Sequence, residues 1–568
     1  MHKVRSGLMQ MRLRRTPLDF LLLLFFLALF VSLGVSYSGW LALDKFWMLT
    51  GAVAVYYMVT AVPRRYALWV AAACGPLAAG FTIFFITADL WHGGLAFAAK
   101  FFTPLNRLLA LRLFWPLLLP HPNVIAGHIA LLLPYTVAVW LYARRDKKKQ
   151  LALVTAVCLV LSLVGLLATR SVGAWLALIT GLSVWAFWPL SGWLAASRLV
   201  AVRPLSRRAI YGGLVAILVL MEFVAVWLAV TQNLPGGQTI AERLALANGT
   251  WRLTQDYTWL GSGLATFPSL YAEYVVVIPN FYLNYSDFYL DVLLELGPVG
   301  AICLLAIWAG LLWLIVGALR RSLSRPYPHH NTKHGDVYWL RWATLSSFVV
   351  ILVHGLVDDS LYGGLGTPLL FFTPAMAVLV SHHKDKEKPL FFNKRMAWVT
   401  AVLLLLLAGI LVGFRRQITA SWYAYRGAHA MDLALFADWP SNRWRFGDDT
   451  TLLEPARLYL DRALQLDNHN RTAHQRLGML ALWEMDIDTA VFHLQQAYAQ
   501  DPTHRGVIKS LAYAYVWQGQ PEKAYPLLAQ IPEAAQEIEI YASFWYQLDQ
   551  PGLAEKAAVA AAFLKNNP

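Results

Sequence analysis

The chain of 568 residues is 58% hydrophobic and only 14% charged, well below the roughly 25% charge of soluble globular domains, and its mean hydropathy is +0.48. This composition excludes an ordinary soluble protein and places the chain among polytopic membrane proteins. Its net charge of +14 lies in clusters at the ends of apolar runs, which favours a membrane-topology signal over a nucleic-acid surface.

The basic N-terminus, MHKVRSGLMQMRLRR, leads into an apolar run at 18–41. That run is too long for a signal-peptide core and reads as an uncleaved first span. Further spans are expected at 46–62, 66–88, 123–143, 150–169, 171–193, 209–231, 287–317, 338–357, 366–382 and 397–414, about eleven in all. Segment 89–122, with Lys100, Arg107, Arg112 and prolines among aromatics, reads as an interfacial or re-entrant element, or as a further span. Cys74, Cys158 and Cys303 all fall inside apolar runs without partner spacing, against a disulfide framework or a zinc site. His329, His330, His334, His382 and His383 lie in basic loops, with no metal-ligand spacing. No metal or other cofactor is expected.

Basic patches recur at every second loop: the N-terminus, Arg64-Arg65, 144–149, 197–208, 320–334 and 382–395. By the positive-inside rule these loops face the cytoplasm. The alternate loops then lie outside: Asp44-Lys45, 89–122, the turn at Arg170, the long segment 231–286, and 358–368. Arg415-Arg416 runs against the rule but is outweighed by the parity of the preceding loops. The division expected is a membrane domain over 1–416, with a cytoplasmic N-terminus, and a soluble domain over 417–568 on the outer side.

The soluble domain carries a 34-residue repeat. Ala456, Ala490 and Ala524 recur at that step, as do Leu460, Leu494 and Leu528; Leu477 pairs with Leu511, and Asp467 with Asp501. The pattern resembles tetratricopeptide repeats, helix pairs that bury their apolar faces against neighbours and present a concave surface to a protein or peptide.

The loop at 231–286 is too long and too rich in polar, aromatic and glycine residues for a passive connection. Within it, ERLALANGTWRLTQDYTW reads as an amphipathic helix followed by the turn Gly261-Ser262-Gly263. Arg243 lies on this helix, with Glu242 and Arg252 as competitors for its role. Arg170 occupies a turn barely long enough to join two spans, and His354 lies near the outer end of its span, with Asp358 four residues on and on the same helix face. Taken singly, these residues read equally well as a snorkelling arginine, a solvated helix face and a packed histidine. Topology places all three on the outer side. Two arginines and a histidine facing one cavity suit an anionic, phosphate-bearing substrate and a proton transfer. The aromatic stretches 89–122 and 264–289 offer surfaces for sugar or lipid, although aromatics are ordinary at membrane interfaces.

Five stretches in order, HPNVIAGHIALLLPYTVAVW, ATRSVGAWLALITGL, ERLALANGTWRLTQDYTWLGSGLATF, YSDFYLDVLLELGPVG and VHGLVDDSLYGG, resemble the O-antigen ligase and polymerase superfamily of membrane glycosyltransferases. The resemblance implies an all-α, GT-C-like membrane fold in the bacterial cytoplasmic membrane. It implies metal-independent transfer of a glycan from undecaprenyl diphosphate to a hydroxyl of lipid A-core, another glycan or a protein, at the outer face. Carried over, Arg170 and Arg243 hold the donor diphosphate and His354 activates the acceptor hydroxyl. Asp358 and Arg252 are supporting candidates. Where many members have His-Asn, this chain has Ser286-Asp287, which leaves the role of Asp287 open. A transporter or flippase is the non-enzyme alternative, against which the spans show no internal repeat or paired broken helices.

Overall fold

The computed structural model describes residues 15–91, 121–196, 206–232, 237–277, 287–323, 335–364, 366–381, 409, 412–436, 450–531 and 533–566. Most of the segment expected to be interfacial at 89–122, most of the last expected span at 397–414, and the basic-loop histidines lie outside these residues. The described residues form an all-helical membrane bundle joined to a helical solenoid.

The bundle comprises α1 (Asp19–Val35), α2 (Gly39–Ala61), α3 (Ala67–Trp91), α4 (Pro122–Arg145), α5 (Lys149–Thr169), α6 (Val172–Ala196) and α7 (Arg207–Thr231). The long loop then contributes α8 (Gly237–Thr254) and the short α9 (Phe267–Tyr271), followed by α10 (Phe288–Leu323), α11 (Gly335–His354) and α12 (Phe372–Val380). Among the described residues, seven helices are long and apolar enough to cross a membrane: α3 to α7, α10 and α11. Of the eleven spans expected over the whole chain, the last, at 397–414, lies mostly outside the described residues. The first and tenth expected spans form shorter apolar helices, Asp19–Val35 and Thr367–Val380, and α2 carries Asp44 and Lys45 in its first turns.

Local chemistry sets the helix ends. Pro122 occupies the first turn of α4, where its missing N–H costs nothing, and Ser206 caps α7 by accepting from Ala209 N at 3.2 Å. Helix α4 is the centre of the bundle, packed on α3, α5, α6 and α11. Helix α7 lies at the edge, with no buried residue.

Helix α10 is broken. Gly297 has φ 65°, so 288–296 and 298–323 are two helical halves. The break leaves backbone carbonyls without helical partners, a severe cost in hydrocarbon. The turn Gly261-Ser262-Gly263 supplies them: Ser262 N donates to Leu294 O at 2.7 Å and Gly263 N to Glu295 O at 3.2 Å. Ser32 Oγ of α1 donates to the same Glu295 carbonyl at 2.8 Å.

The solenoid is built from antiparallel pairs: α13 (Arg415–Leu435) with α14 (Glu454–Leu466), α15 (Arg471–Trp483) with α16 (Ile487–Gln500), α17 (Arg505–Gln518) with α18 (Pro521–Leu528), and α19 (Ala534–Gln547) with α20 (Pro551–Asn566). Each alanine and leucine of the 34-residue pattern is buried. The recurring aspartates, Asp467 and Asp501, end α14 and α16 and accept from the backbone two residues on. The solenoid is not a separate body. Leu246, Leu253, Tyr257 and Tyr274 of the long loop share one apolar core with Ala424, Met431, Leu460, Leu477 and Leu480 of the solenoid.

A Cβ at Gly261 would lie 2.4 Å from Glu295 O, at a backbone φ of 81°. Gly261→Ala is therefore expected to destabilise the protein by roughly 1–3 kcal/mol, read as a lower melting temperature in detergent. Gly34→Ala, with nothing within 4 Å of the added carbon, is the control and stays at or above wild type.

Candidate active site

His354 is the last residue of α11 and is 3% exposed. Gly127 of α4 admits it: a Cβ there would meet His354 Nε2 at 2.4 Å, while Gly173 of α6 lies on the Nδ1 side and makes room for Val357, which its Cβ would meet at 2.6 Å. The ring lines a small pocket with Gly127, Phe288, Asp358 and Ser360. The ring's polar neighbours are backbone groups of Asn123 and Gly173, and neither contact is a well-formed hydrogen bond.

The segment after α11 shapes the other wall. Asp358 N donates to His354 O at 3.0 Å, and Asp358 Oδ1 accepts from Ser360 N at 3.0 Å. That same oxygen lies 3.9 Å from His354 Nε2, an ion-pair approach and not the hydrogen bond expected of a carboxylate that orients an imidazole. His128 of α4 bonds through Nε2 to Ser360 O at 3.2 Å. Phe288 N donates to Gly355 O at 3.2 Å, which brings the front half of α10 to the pocket.

Arg243, half-buried on α8, reaches this place from the long loop. Its charge acts on His354 and Asp358 and also on His121 at the start of α4. Burial pushes the Asp358 carboxyl up to about 6, against the pull of Arg243 and the Ser360 N–H. Burial and then Arg243 hold His121 below its ordinary range. Next door, Lys45 Nζ of α2 lies 2.8 Å from Glu295 Oε2 and 3.9 Å above the Tyr362 ring.

Arg243, His354 and Asp358 are thus brought together. Arg170 stands exposed at the α5–α6 turn in the left-handed conformation (φ 53°), three residues before Gly173. Arg252 goes elsewhere: Nη1 pairs with Asp501 Oδ2 at 2.7 Å and Nη2 donates to Thr503 Oγ1 at 2.8 Å, both in the solenoid. Asp287 Oδ1 accepts from Tyr289 N and Leu290 N, each at 3.0 Å, and so caps α10 beside Phe288. Burial raises its carboxyl, and these two N–H groups lower it. Lys45, His121, His128, Asp359 and Ser360 were not singled out from sequence. The closely spaced His121 and His128 in HPNVIAGH and a lysine near the start of an apolar run were the available signals.

Residues 157–305 match a family model described as O-Antigen ligase, and residues 484–543 match one described as Tetratricopeptide repeat. No curated protein and no solved structure gives a match. The first match contains Arg170, Arg243, Asp287 and the Gly261–Gly297 junction, while His354 and Asp358 lie beyond it. It supports a membrane glycosyltransferase of the O-antigen ligase and polymerase type, and the chain is a multi-pass membrane protein with a tetratricopeptide-repeat region.

Burial, and then the neighbouring Asp358, push Asp359 up to about 7, with Lys45 opposing. The folded protein therefore holds this proton more tightly than the unfolded chain does. The cost of this shift builds up between about pH 4 and pH 7, is complete above pH 7, and vanishes as pH falls to the ordinary carboxylate range. Asp359→Asn is expected to raise the melting temperature at about pH 8 and to lose that advantage by about pH 4. Equal melting shifts at both pH values would contradict this account.

Proposed function

We propose that the protein transfers a glycan from undecaprenyl diphosphate to an acceptor hydroxyl at the outer face of the bacterial cytoplasmic membrane. The observation that carries the reading is that Arg243, from the long loop, comes within reach of the charges of His354 and Asp358, which line a pocket of the helical bundle. Residue by residue, Arg243 takes the donor diphosphate, with Arg170 proposed as its second cation. His354 accepts the proton of the attacking hydroxyl. The new glycosidic bond forms at the anomeric carbon as its bond to the diphosphate oxygen breaks, and undecaprenyl diphosphate leaves with the electron pair. Charge grows on that leaving group through the transition state, so fixed guanidiniums act most strongly where the barrier lies. Their charge does not titrate, and the transfer is proposed to proceed without a metal.

The solenoid packs on the long loop, at the same end of the bundle as His354. An acceptor held on its surface is therefore delivered to the side where transfer takes place. In the proposed topology that end is extracytoplasmic and the N-terminus is cytoplasmic. Lipid A-core, a growing polysaccharide and a protein are the three acceptor classes, and one assay separates them.

Protein in nanodiscs is given a polyprenyl diphosphate-linked glycan and release of free carrier is followed with each acceptor class. Acceptor-dependent release is expected, falling by roughly two to three orders of magnitude in Arg243→Ala and His354→Ala variants that remain folded. Full activity in either variant would remove that residue from the site. Donor binding without release under every acceptor would turn the reading toward transport.

A further inference from the structure

Helix α8 serves two regions at once. Arg243 and Arg252 are nine residues apart on it, two and a half turns of helix, so their side chains leave on opposite sides about 14 Å apart along the axis. Arg243 lies within electrostatic reach of His354 and Asp358, two residues that line the pocket. Arg252 grips Asp501 and Thr503 at the start of the second repeat junction. Just beyond the helix, Asp256 is buried among solenoid side chains: Arg471 Nη1 at 2.7 Å, Arg476 Nη2 at 3.3 Å and Thr472 Oγ1 at 2.6 Å.

The contact continues along the loop. The Arg476 guanidinium, fully buried, also donates to Tyr257 OH at 3.1 Å and lies 3.0 Å from the Tyr274 ring centroid. Both tyrosine hydroxyls donate to Asp432 of α13, at 2.5 and 2.7 Å. A Cβ on Gly506 of α17 would strike Tyr274 O, so the solenoid approaches the loop backbone as closely as glycine permits. On α8 itself, Gly249 lets Tyr271 and Val275 pack against the helix.

We infer that the repeat region is a positioning element for Arg243: through the Arg252–Asp501 and Asp256–Arg471–Arg476 contacts it fixes the axial and rotational setting of α8, and with it the guanidinium that faces the pocket. Arg252, Asp256 and Arg476 are positioning residues; none touches the reacting groups. The inference rests on the proposed role of Arg243 toward the donor diphosphate for its kinetic consequence, but not for its structural one.

The test uses the full chain in nanodiscs. Arg252→Ala removes a half-exposed arm of the contact and is compared with Arg252→Lys and with Asp256→Asn, which leaves two buried cations unneutralised. Hydrogen exchange of the α8 amides and steady-state kinetics toward donor and acceptor are read together. Faster α8 exchange is expected in Arg252→Ala, with donor KM rising by roughly tenfold to a hundredfold, kcat and acceptor KM little changed, and partial recovery in Arg252→Lys. Loss of folded protein alone lowers the apparent kcat and leaves donor KM in place, so it does not imitate this split. Unchanged exchange and unchanged donor KM in both Arg252→Ala and Asp256→Asn overturn the inference. Faster exchange with an unchanged donor KM upholds the positioning of α8 and overturns the donor role of Arg243.

Discussion

The break at Gly297 is the constraint from which the rest of the bundle is arranged. A helix interrupted in or near hydrocarbon must find partners for its freed carbonyls inside the protein. Leu294 O and Glu295 O find theirs in the Gly261-Ser262-Gly263 turn and in Ser32 of α1. One junction therefore ties α1, the long loop and α10 together. The front half of α10 is aimed by that junction, and it delivers Phe288 to the pocket wall and Glu295 to Lys45. The left-handed glycines at 261, 263 and 297 are what allow the backbones to approach so closely.

The charges around the pocket follow from the same enclosure. Asp291, Glu295 and Asp358 are buried near one another's elements, with Lys45 and Arg243 as the cations set against them. Burial raises Asp358 while Arg243 pulls it down. The separation of 3.9 Å between His354 and Asp358 fits the same picture. In the proposed transfer the imidazole is oriented by packing against Gly127 and Gly173, and Asp358 supplies a nearby negative potential to the imidazolium that forms.

Much of this was legible in the chain. The repeat could be read because burial at Ala456, Leu460 and their equivalents demands the same residue size at each 34-residue step. Counting basic loops put Arg243 and His354 at one end of the spans, and in the fold the charge of Arg243 reaches His354. The choice between Arg243 and Arg252 was not legible: both sit on one amphipathic helix, and only the docking of that helix between two bodies decides which arginine faces which. The Lys45–Glu295 pair was hidden for a related reason. Local pattern cannot join residues from the second helix and the tenth. Apolar runs were legible as helices, but hydropathy alone does not fix their ends: the first run, read over 18–41, forms a helix of 17 residues, Asp19–Val35, before the chain turns into α2.

The interior of the loop–solenoid contact is ionic as well as apolar, and that difference has consequences for how the two regions meet. An apolar interface of similar area tolerates sliding, since any dry contact is nearly as good as another. A carboxylate enclosed by two arginines does not: displacement of Asp256 from Arg471 and Arg476 leaves charges buried without partners, which is far more costly than the correct pairing is favourable. Tyr257, Tyr274 and Asp432 add directional hydrogen bonds to the same locus. The apolar residues around them, Leu246 and Leu253 against Leu477 and Leu480, supply the drive to associate, while the polar network admits one register. A solenoid held in one register keeps a constant orientation to the long loop, and so to the helix that carries Arg243 and Arg252.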